Sequence, residues 1–379
     1  MKVAIVSDWL ETYSGAERVV EQLIQSWPEA DIFALCDFLP DSERHFLGGR
    51  KVTTTFIQRL PGARKRFRWY LGFMPLAIEQ LDLGAYDLVL SSSHAIAKGV
   101  LTGPAQLHIS YVHSPMRYAW DLQTQYLEQA GLTRGIKGWF TRWLLHRMRH
   151  WDRSSAAGVD VIVANSSYIA QRIRKVWRRD ATVIHPPVDV ARFALRADKE
   201  DFYLTASRMV PYKRMELIAA AFRRMPDRKL VVLGDGPNRA QVEAAAGGAP
   251  NIEFRGRVDT AELVRLTQAA RAAIFAAEED FGIATVEAQA CGTPVIAFGR
   301  GGVRDIVLPA PAPDATGLFF AEQSAAAIAA AVDSFESLSP AISAEACRAN
   351  AMRFSREEFR RRIQALARDE MARAGLPLA

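Results

Sequence analysis

The chain has 379 residues, 49% of them apolar, 24% charged and 9% aromatic, and a formal net charge of +6. That length exceeds one ordinary hydrophobic core, so a globular protein of two domains is expected. No apolar run reaches the roughly 20 residues that a bilayer span needs. The three cysteines, Cys36, Cys291 and Cys347, lie too far apart for a disulfide framework or metal-ligand spacing, and a reducing, cytoplasmic address is expected.

In chain order, Met1-Lys2-Val3-Ala4-Ile5-Val6 runs straight into Asp8 and reads as a strand, not a signal peptide. Further short apolar runs follow at Asp87–Ser91, His108–Val112 and Asp160–Ala164, then at Asp201–Ala206, Lys229–Leu233, Ala272–Ala276 and Pro294–Ala297. Runs of about this length, rich in Val and Ile and separated by helix-length segments, predict buried parallel strands in βα units, hence an α/β protein. His185-Pro186-Pro187-Val188-Asp189 interrupts the pattern with two prolines, which break any element. The boundary is placed there, giving domains of 1–189 and 190–354. Residues 355–379 read as a closing helix, with Ser355 and Glu358 as a capping box and Phe359, Ile363 and Leu366 at helical spacing.

Residues 1–190 carry 23 Lys/Arg against 18 Asp/Glu, and the excess is concentrated in two patches. In 59–70, Arg59, Arg64, Lys65, Arg66 and Arg68 stand beside Phe67, Trp69 and Tyr70. In 134–153, Arg134, Lys137, Arg142, Arg147, Arg149 and Arg153 alternate with Trp139, Phe140, Trp143, Leu144, Leu145 and Trp151. Cations among large rings suit an anionic membrane surface. The competing reading is a solvated helix whose tryptophans pack on their own domain. No nucleic-acid motif accompanies the charge, and no nucleic-acid partner is expected.

The chemistry concentrates in Glu279-Asp280-Phe281-Gly282-Ile283-Ala284-Thr285-Val286-Glu287, followed by a helix end at Cys291-Gly292-Thr293-Pro294. Two carboxylates flank a glycine, the first in a loop and the second on the next helix. This run resembles the E-x7-E signature of the group 1 glycosyltransferases, glycosyltransferase family 4, which transfer sugars from nucleotide donors. The resemblance implies a GT-B fold: two Rossmann-like domains facing across a cleft, with the C-terminal helix crossing back to the first. It makes 1–189 the acceptor-binding domain and 190–354 the nucleotide-sugar-binding domain.

A leaving diphosphate needs cations or a metal and well-aimed amides. The chain has no Asp-x-Asp pair, so no metal is expected and side chains must supply the charge. Ser207-Arg208-Met209-Val210-Pro211-Tyr212-Lys213 offers Arg208 at a strand end and Lys213 at the start of a helix, the positions where the family clamps its donor diphosphate. The absence of G-x-G-x-x-G argues against a nicotinamide cofactor. Ser14-Gly15-Ala16-Glu17 takes the place of the family's paired-glycine loop, with Gly15 bringing backbone close to the donor. By the same resemblance Glu279, with the backbone of Phe281, Gly282 and Ile283, meets the donor sugar, and Glu287 the ribose hydroxyls. Gly234 shapes the nucleotide side and the segment ending at Val258 meets the base. Gly301-Gly302 lines the sugar end. His113, at a strand end before Pro115, is the catalytic histidine, with Arg208, Lys213 and Glu279 as its partners in catalysis; His94 and His108 are set behind it. Arg117, Tyr118 and Trp120 are acceptor-reading or structural.

The Glu-Glu-Asp-Phe-Gly form, with Asp280 where the family commonly has glycine, resembles bacterial O-antigen and exopolysaccharide mannosyltransferases. The resulting expectation is a retaining, metal-independent enzyme that needs no cofactor. It would move mannose from GDP-mannose to a lipid-linked saccharide in bacterial surface polysaccharide synthesis, peripherally bound to the inner face of the plasma membrane. The alternatives are a UDP-sugar donor (glucose, galactose or N-acetylglucosamine) and a carbohydrate-binding scaffold that has lost turnover.

Overall fold

Val3–Ser7 (β1) is buried along its whole length, as a strand covered on both faces must be. In this computed structural model, which describes residues 1–338 and 342–376, β1 pairs in parallel with Asp31–Ala34 (β2), and β2 with Val52–Thr54 (β3). On its other side lie Leu88–Ser93 (β4), Leu107–Val112 (β5), Val161–Ala164 (β6) and Thr182–Val183 (β7). The order β3-β2-β1-β4-β5-β6-β7 reverses direction between β1 and β4. In an open α/β sheet that reversal leaves a crevice at the carboxyl ends of the two strands, where ligands bind.

The second sheet repeats the plan. Tyr203–Ala206 (β8), Leu230–Leu233 (β9), Ile252–Gly256 (β10), Ala272–Phe275 (β11), Val295–Phe298 (β12) and Gly317–Phe320 (β13) run parallel in the order β10-β9-β8-β11-β12-β13. The switch point here lies between β8 and β11. Each apolar run read from the sequence is a strand to within a residue or two. The elements left unread, β2, β3, β7, β10 and β13, are flanking strands, several very short or without an unbroken apolar run.

The chain divides into two compact units, Met1–Pro187 with the chain from Phe359 onward, and Val188–Glu358. The terminal helix Arg356–Arg373 begins after Ser355, whose hydroxyl accepts from the Glu358 N–H at 3.2 Å. Its Phe359, Ile363, Ala367 and Met371 are buried in the core of the first unit with Val3, Ile5, Ile32 and Tyr111. Polar contacts hold it there: an Arg362 guanidinium donates to the Val183 carbonyl at 2.8 Å and Gln364 to the Ser26 carbonyl at 3.0 Å.

A buried ion pair braces the first unit just beyond β4. Lys98 and Asp152, each 1% exposed at the side chain, meet at 2.7 Å. The second Asp152 oxygen accepts the indole N–H groups of Trp120 at 2.7 Å and Trp177 at 2.8 Å. The ammonium lies 4.9 Å from the centre of the Trp151 ring and 5.0 Å from that of Trp177. A buried pair stabilises a fold only when its remaining donors and acceptors are met in this way.

Candidate functional site

In the second unit, chain leaving β8, β9 and β11 forms the walls of two adjoining cavities. One, of about 250 Å³, is bordered by Ser207, Gly234, Arg257, Val258, Ala284 and Glu287 among others. The other, of about 630 Å³, is bordered by Ser207, Arg208, Gly234, Asp235, Gly236 and Arg257. Shared residues make them continuous. The larger one presents two guanidiniums, and no carboxylate pairs with Arg208 or Arg257 among the described residues. The smaller one is apolar except for Ser207, Arg257, Thr267 and Glu287, and suits a flat ring with hydroxyls at one edge.

Glycine makes this close approach possible. Gly234 has φ +118°, and a Cβ there would lie 1.9 Å from the Ser207 carbonyl oxygen. A Cβ at Gly236 would likewise fall 2.3 Å from the Met209 carbonyl oxygen. Two loops thus pack backbone to backbone and leave their edges open to a ligand.

Lys213 and Glu279 meet at 2.5 Å, Nζ to Oε1. The sequence reading puts Lys213 at the start of a helix. The structure corrects this: Lys213 ends a 3-10 turn, Pro211–Lys213, and Arg214 then takes φ +53° before the helix begins at Met215. The Pro211 ring favours this tight turn by fixing φ. Glu279 is held by its backbone, whose carbonyl accepts the Gly302 N–H at 2.8 Å. A Cβ at Gly302 would fall 2.3 Å from the Asp280 carbonyl oxygen, so the glycine pair clasps the signature loop. Gly282 caps the following helix, Ile283–Ala290, at φ +104°. The Phe281 side chain is buried against Phe354, ring centres 5.6 Å apart, and Ile283 packs beside that cluster. Among these signature residues, Glu287 lines the smaller cavity, whereas the Lys213–Glu279 pair borders neither.

Gly15 and His113 belong to the first unit. Gly15 opens the helix Gly15–Ser26, and Ser14 before it is extended at φ −137°. The Glu17 carboxylate accepts from the Ser14 N–H at 3.0 Å and its hydroxyl at 2.8 Å. Serine therefore stands at the family's glycine position without strain. His113 follows β5, its Nε2 2.9 Å from Ser92 Oγ. Burial, the adjacent His94 charge and Arg117 pull its pKa down to about 3, so the ring is neutral.

Asp8 and His94 both stand out in the sequence, but nothing there pairs them. Asp8, at the end of β1, accepts the backbone N–H groups of His94, Ala95, Ile96 and Ala97 at 2.5, 2.9, 2.6 and 2.5 Å. It also meets His94 Nδ1 at 2.8 Å. Burial alone would raise the Asp8 pKa, but the His94 charge and these hydrogen bonds hold it well below the carboxylate range. Burial lowers the His94 pKa and the facing Asp8 charge more than reverses this, so the net direction is upward. His108 is buried in the sheet, with Nε2 2.8 Å from Ser91 Oγ.

Residues 188–354 match the family model for glycosyl transferases group 1, and residues 13–192 match that for glycosyltransferase family 4. The chain belongs to the group 1 glycosyltransferases. It is 30% identical over 220 residues to the GDP-mannose-dependent monoacylated alpha-(1-6)-phosphatidylinositol monomannoside mannosyltransferase of Corynebacterium glutamicum, covering 48% of this chain and 57% of that protein. It is 30% identical over 168 residues to the D-inositol 3-phosphate glycosyltransferase of Mycobacterium sp. strain KMS, covering 38% of each. The chain thus spans little more than half of the first relative's length and under two fifths of the second's. A crystal structure of Anabaena Alr3699/HepE in complex with UDP superposes with a TM-score of 0.70 at 16% identity, over 97% of this chain and 100% of that one. That likeness shows the fold, two parallel-sheet Rossmann-like domains of the GT-B type.

Within this group 1 glycosyltransferase, Arg208, Gly234, Val258 and Glu287 border the joined cavities. Arg257 borders both cavities, and the sequence alone gave it no role. Its signal was weak, an arginine one residue past a strand end. Among the described residues no three His, Cys, Asp or Glu side chains converge as a metal site would require.

Proposed function

We propose that this protein is a retaining, metal-independent glycosyltransferase that moves mannose from GDP-mannose to a lipid-linked saccharide. The observation carrying this reading is the joined cavity of the second unit, with Arg208 and Arg257 on its polar side and Glu287 on its apolar side. Two guanidiniums match a diphosphate, and a carboxylate at the edge of an apolar slot matches paired ribose hydroxyls. Lys213 adds charge for the leaving phosphate, and Glu279 accepts from sugar hydroxyls. Within the first unit, His113 carries a neutral ring just past the end of β5.

In the reaction, the bond from the anomeric carbon to the diphosphate oxygen breaks as the acceptor oxygen bonds to that carbon from the same face. The acceptor's proton passes to the departing phosphate oxygen, and configuration is retained. Arg208 and Lys213 stabilise the charge growing on the diphosphate. Mannose as the sugar is supported by the Glu-Glu-Asp-Phe-Gly signature and by the Corynebacterium relative's description.

A membrane-bound acceptor is supported by the first unit's surface. No Asp or Glu occurs between Glu43 and Glu79, nor between Glu128 and Asp152. The two stretches meet where Gly72 packs against Leu144. Ile136, Trp139 and Trp69 are 88%, 67% and 76% exposed, and Phe73, Phe140 and Trp143 are exposed beside them. Phe67 and Leu145 are buried instead, and Trp151 donates to Glu79 at 2.6 Å, so those residues serve packing. We assign the exposed set to an anionic membrane, which receives rings at its interface and cations at its phosphates. No described helix is long and apolar enough to cross a membrane.

The test is thermal stabilisation by GDP, UDP, GDP-mannose and UDP-sugars with EDTA present. Selective stabilisation by the guanine ligands supports the reading. Selectivity for uracil ligands replaces the donor, and no shift with any of them favours a scaffold.

A further inference from the structure

The carboxyl ends of β1 and β4 flank the switch point of the first sheet, and the Asp8–His94 contact joins them. One carboxylate there receives five donors: four consecutive backbone N–H groups and an imidazole nitrogen. Asp8 is 1% exposed at its side chain, whereas His94 is 33% exposed. The Asp8 contact fixes Nδ1 inward and leaves Nε2 at the open side of the ring. The Trp9 ring stands edge-on to His94 at 4.6 Å and blocks rotation from that flank. The His113 ring lies 6.3 Å from His94, centre to centre. Its own Nε2 is taken by Ser92, which leaves Nδ1 as the nitrogen not engaged by that bond.

We infer that Asp8 and His94 are positioning residues for His113: the pair locks the turn after β4 and holds the His94 imidazole 6.3 Å from the His113 ring. The inference rests on His113 serving the reaction proposed above. A cation about 6 Å away opposes a second proton on His113. The groups facing the two rings are Asp8 from β1, Glu17 from the helix Gly15–Ser26, and Arg117 beyond β5. Glu17 and Asp8 favour the charge on His94, whereas Arg117 opposes charge on both rings. His113 can then accept a hydrogen bond or orient a hydroxyl without exchanging protons at neutral pH.

The test is imidazole-nitrogen NMR titration of the whole protein, alone and as His94→Gln, His94→Arg and Asp8→Asn. In the unaltered protein His113 should stay neutral until the pH falls to about 3. In His94→Gln its midpoint should rise by about one unit, the effect of removing one nearby charge. His94→Arg should keep it low. Asp8→Asn removes the anchor and should disorder the His94 signal; where that variant fails to fold, the two His94 variants decide the matter. An unchanged His113 midpoint in a folded His94→Gln protein overturns the inference and leaves the pair a structural clasp. Turnover is read separately. His94→Gln should lower kcat about tenfold or more with donor KM little changed, the pattern of a group acting only in the transition state. A protein with no turnover on any donor refutes the enzyme reading, while the titration still decides what the pair does to His113.

Discussion

Lys213 and Glu279, 66 residues apart in sequence, are joined Nζ to Oε1 at 2.5 Å, and both side chains remain partly open to solvent. The lysine proposed to meet the donor phosphate is therefore already held by the carboxylate that begins the signature. Its position is set before any ligand arrives, which lowers the cost of ordering a long flexible side chain.

The pair predicts a non-additive cycle. Lys213→Ala should cost ~2–4 kcal/mol in kcat/KM, the range for loss of one preorganised donor to a developing anion. Glu279→Gln should weaken donor-sugar binding yet leave stabilisation by the bare nucleoside diphosphate intact. The double variant should fall short of the sum, since the two groups share one interaction. Full additivity in steady-state kinetics would break the assigned link.

On the proposal that Arg208, Arg257 and Lys213 supply the positive charge, chelation should leave turnover unchanged. A requirement for Mn²⁺ or Mg²⁺, measured by metal add-back after EDTA, would contradict the side-chain model.

The exposed surface of the first unit predicts vesicle binding that depends on both charge and rings. Replacing Arg64, Lys65 and Arg66 with glutamine should reduce sedimentation with anionic vesicles and flatten its salt dependence. Trp69→Ser with Trp139→Ser should reduce it further with little change in melting temperature, because both rings are exposed. Equal sedimentation of all variants would return the surface to a solubility role.

His108 predicts acid sensitivity. Burial holds its pKa down to about 4, outweighing the nearby Asp160 charge and the Gly158 backbone, and its Nδ1 is buried without a well-formed hydrogen bond. The unfolded chain takes up a proton on this ring near pH 6.5 and the folded one only near 4. Stability from this group is thus full above pH 6.5 and falls as pH drops toward 4. The loss between pH 7 and 5 should be about 2 kcal/mol. His108→Gln should flatten the pH dependence of chemical denaturation by that amount relative to the unaltered protein. The comparison isolates His108 because His94, whose pKa is raised, contributes with the opposite sign in both proteins.

Lys98→Met should destabilise the first unit by about 3–5 kcal/mol by leaving Asp152 charged and buried. Lys98→Met combined with Asp152→Leu should recover part of that loss, although the Trp120 and Trp177 N–H groups then lack their acceptor. Urea denaturation of the single and double variants distinguishes the two; a mild effect of Lys98→Met alone would contradict the brace.

Local pattern in the sequence determined the α/β class, the central strands and the signature loop, because each is written in neighbouring residues. Strand burial follows from runs of Val and Ile, and the loop from glycines beside carboxylates. What only the tertiary structure decided comes from distant segments meeting. Asp8 and His94 are 86 residues apart and Lys98 and Asp152 are 54, and no periodicity links either pair. They meet because β1 and β4 become neighbours at the sheet's switch point and because Gly99, where a Cβ would lie 2.3 Å from Trp151, lets the helix Gly135–Ala157 close over the turn. Arg257 gained its place in the same way, when β9 and β10 paired and brought it beside Gly234. A hydrogen bond to a carboxylate is selective only once the chain has delivered both partners, so the sequence holds the residues and the fold assigns their company.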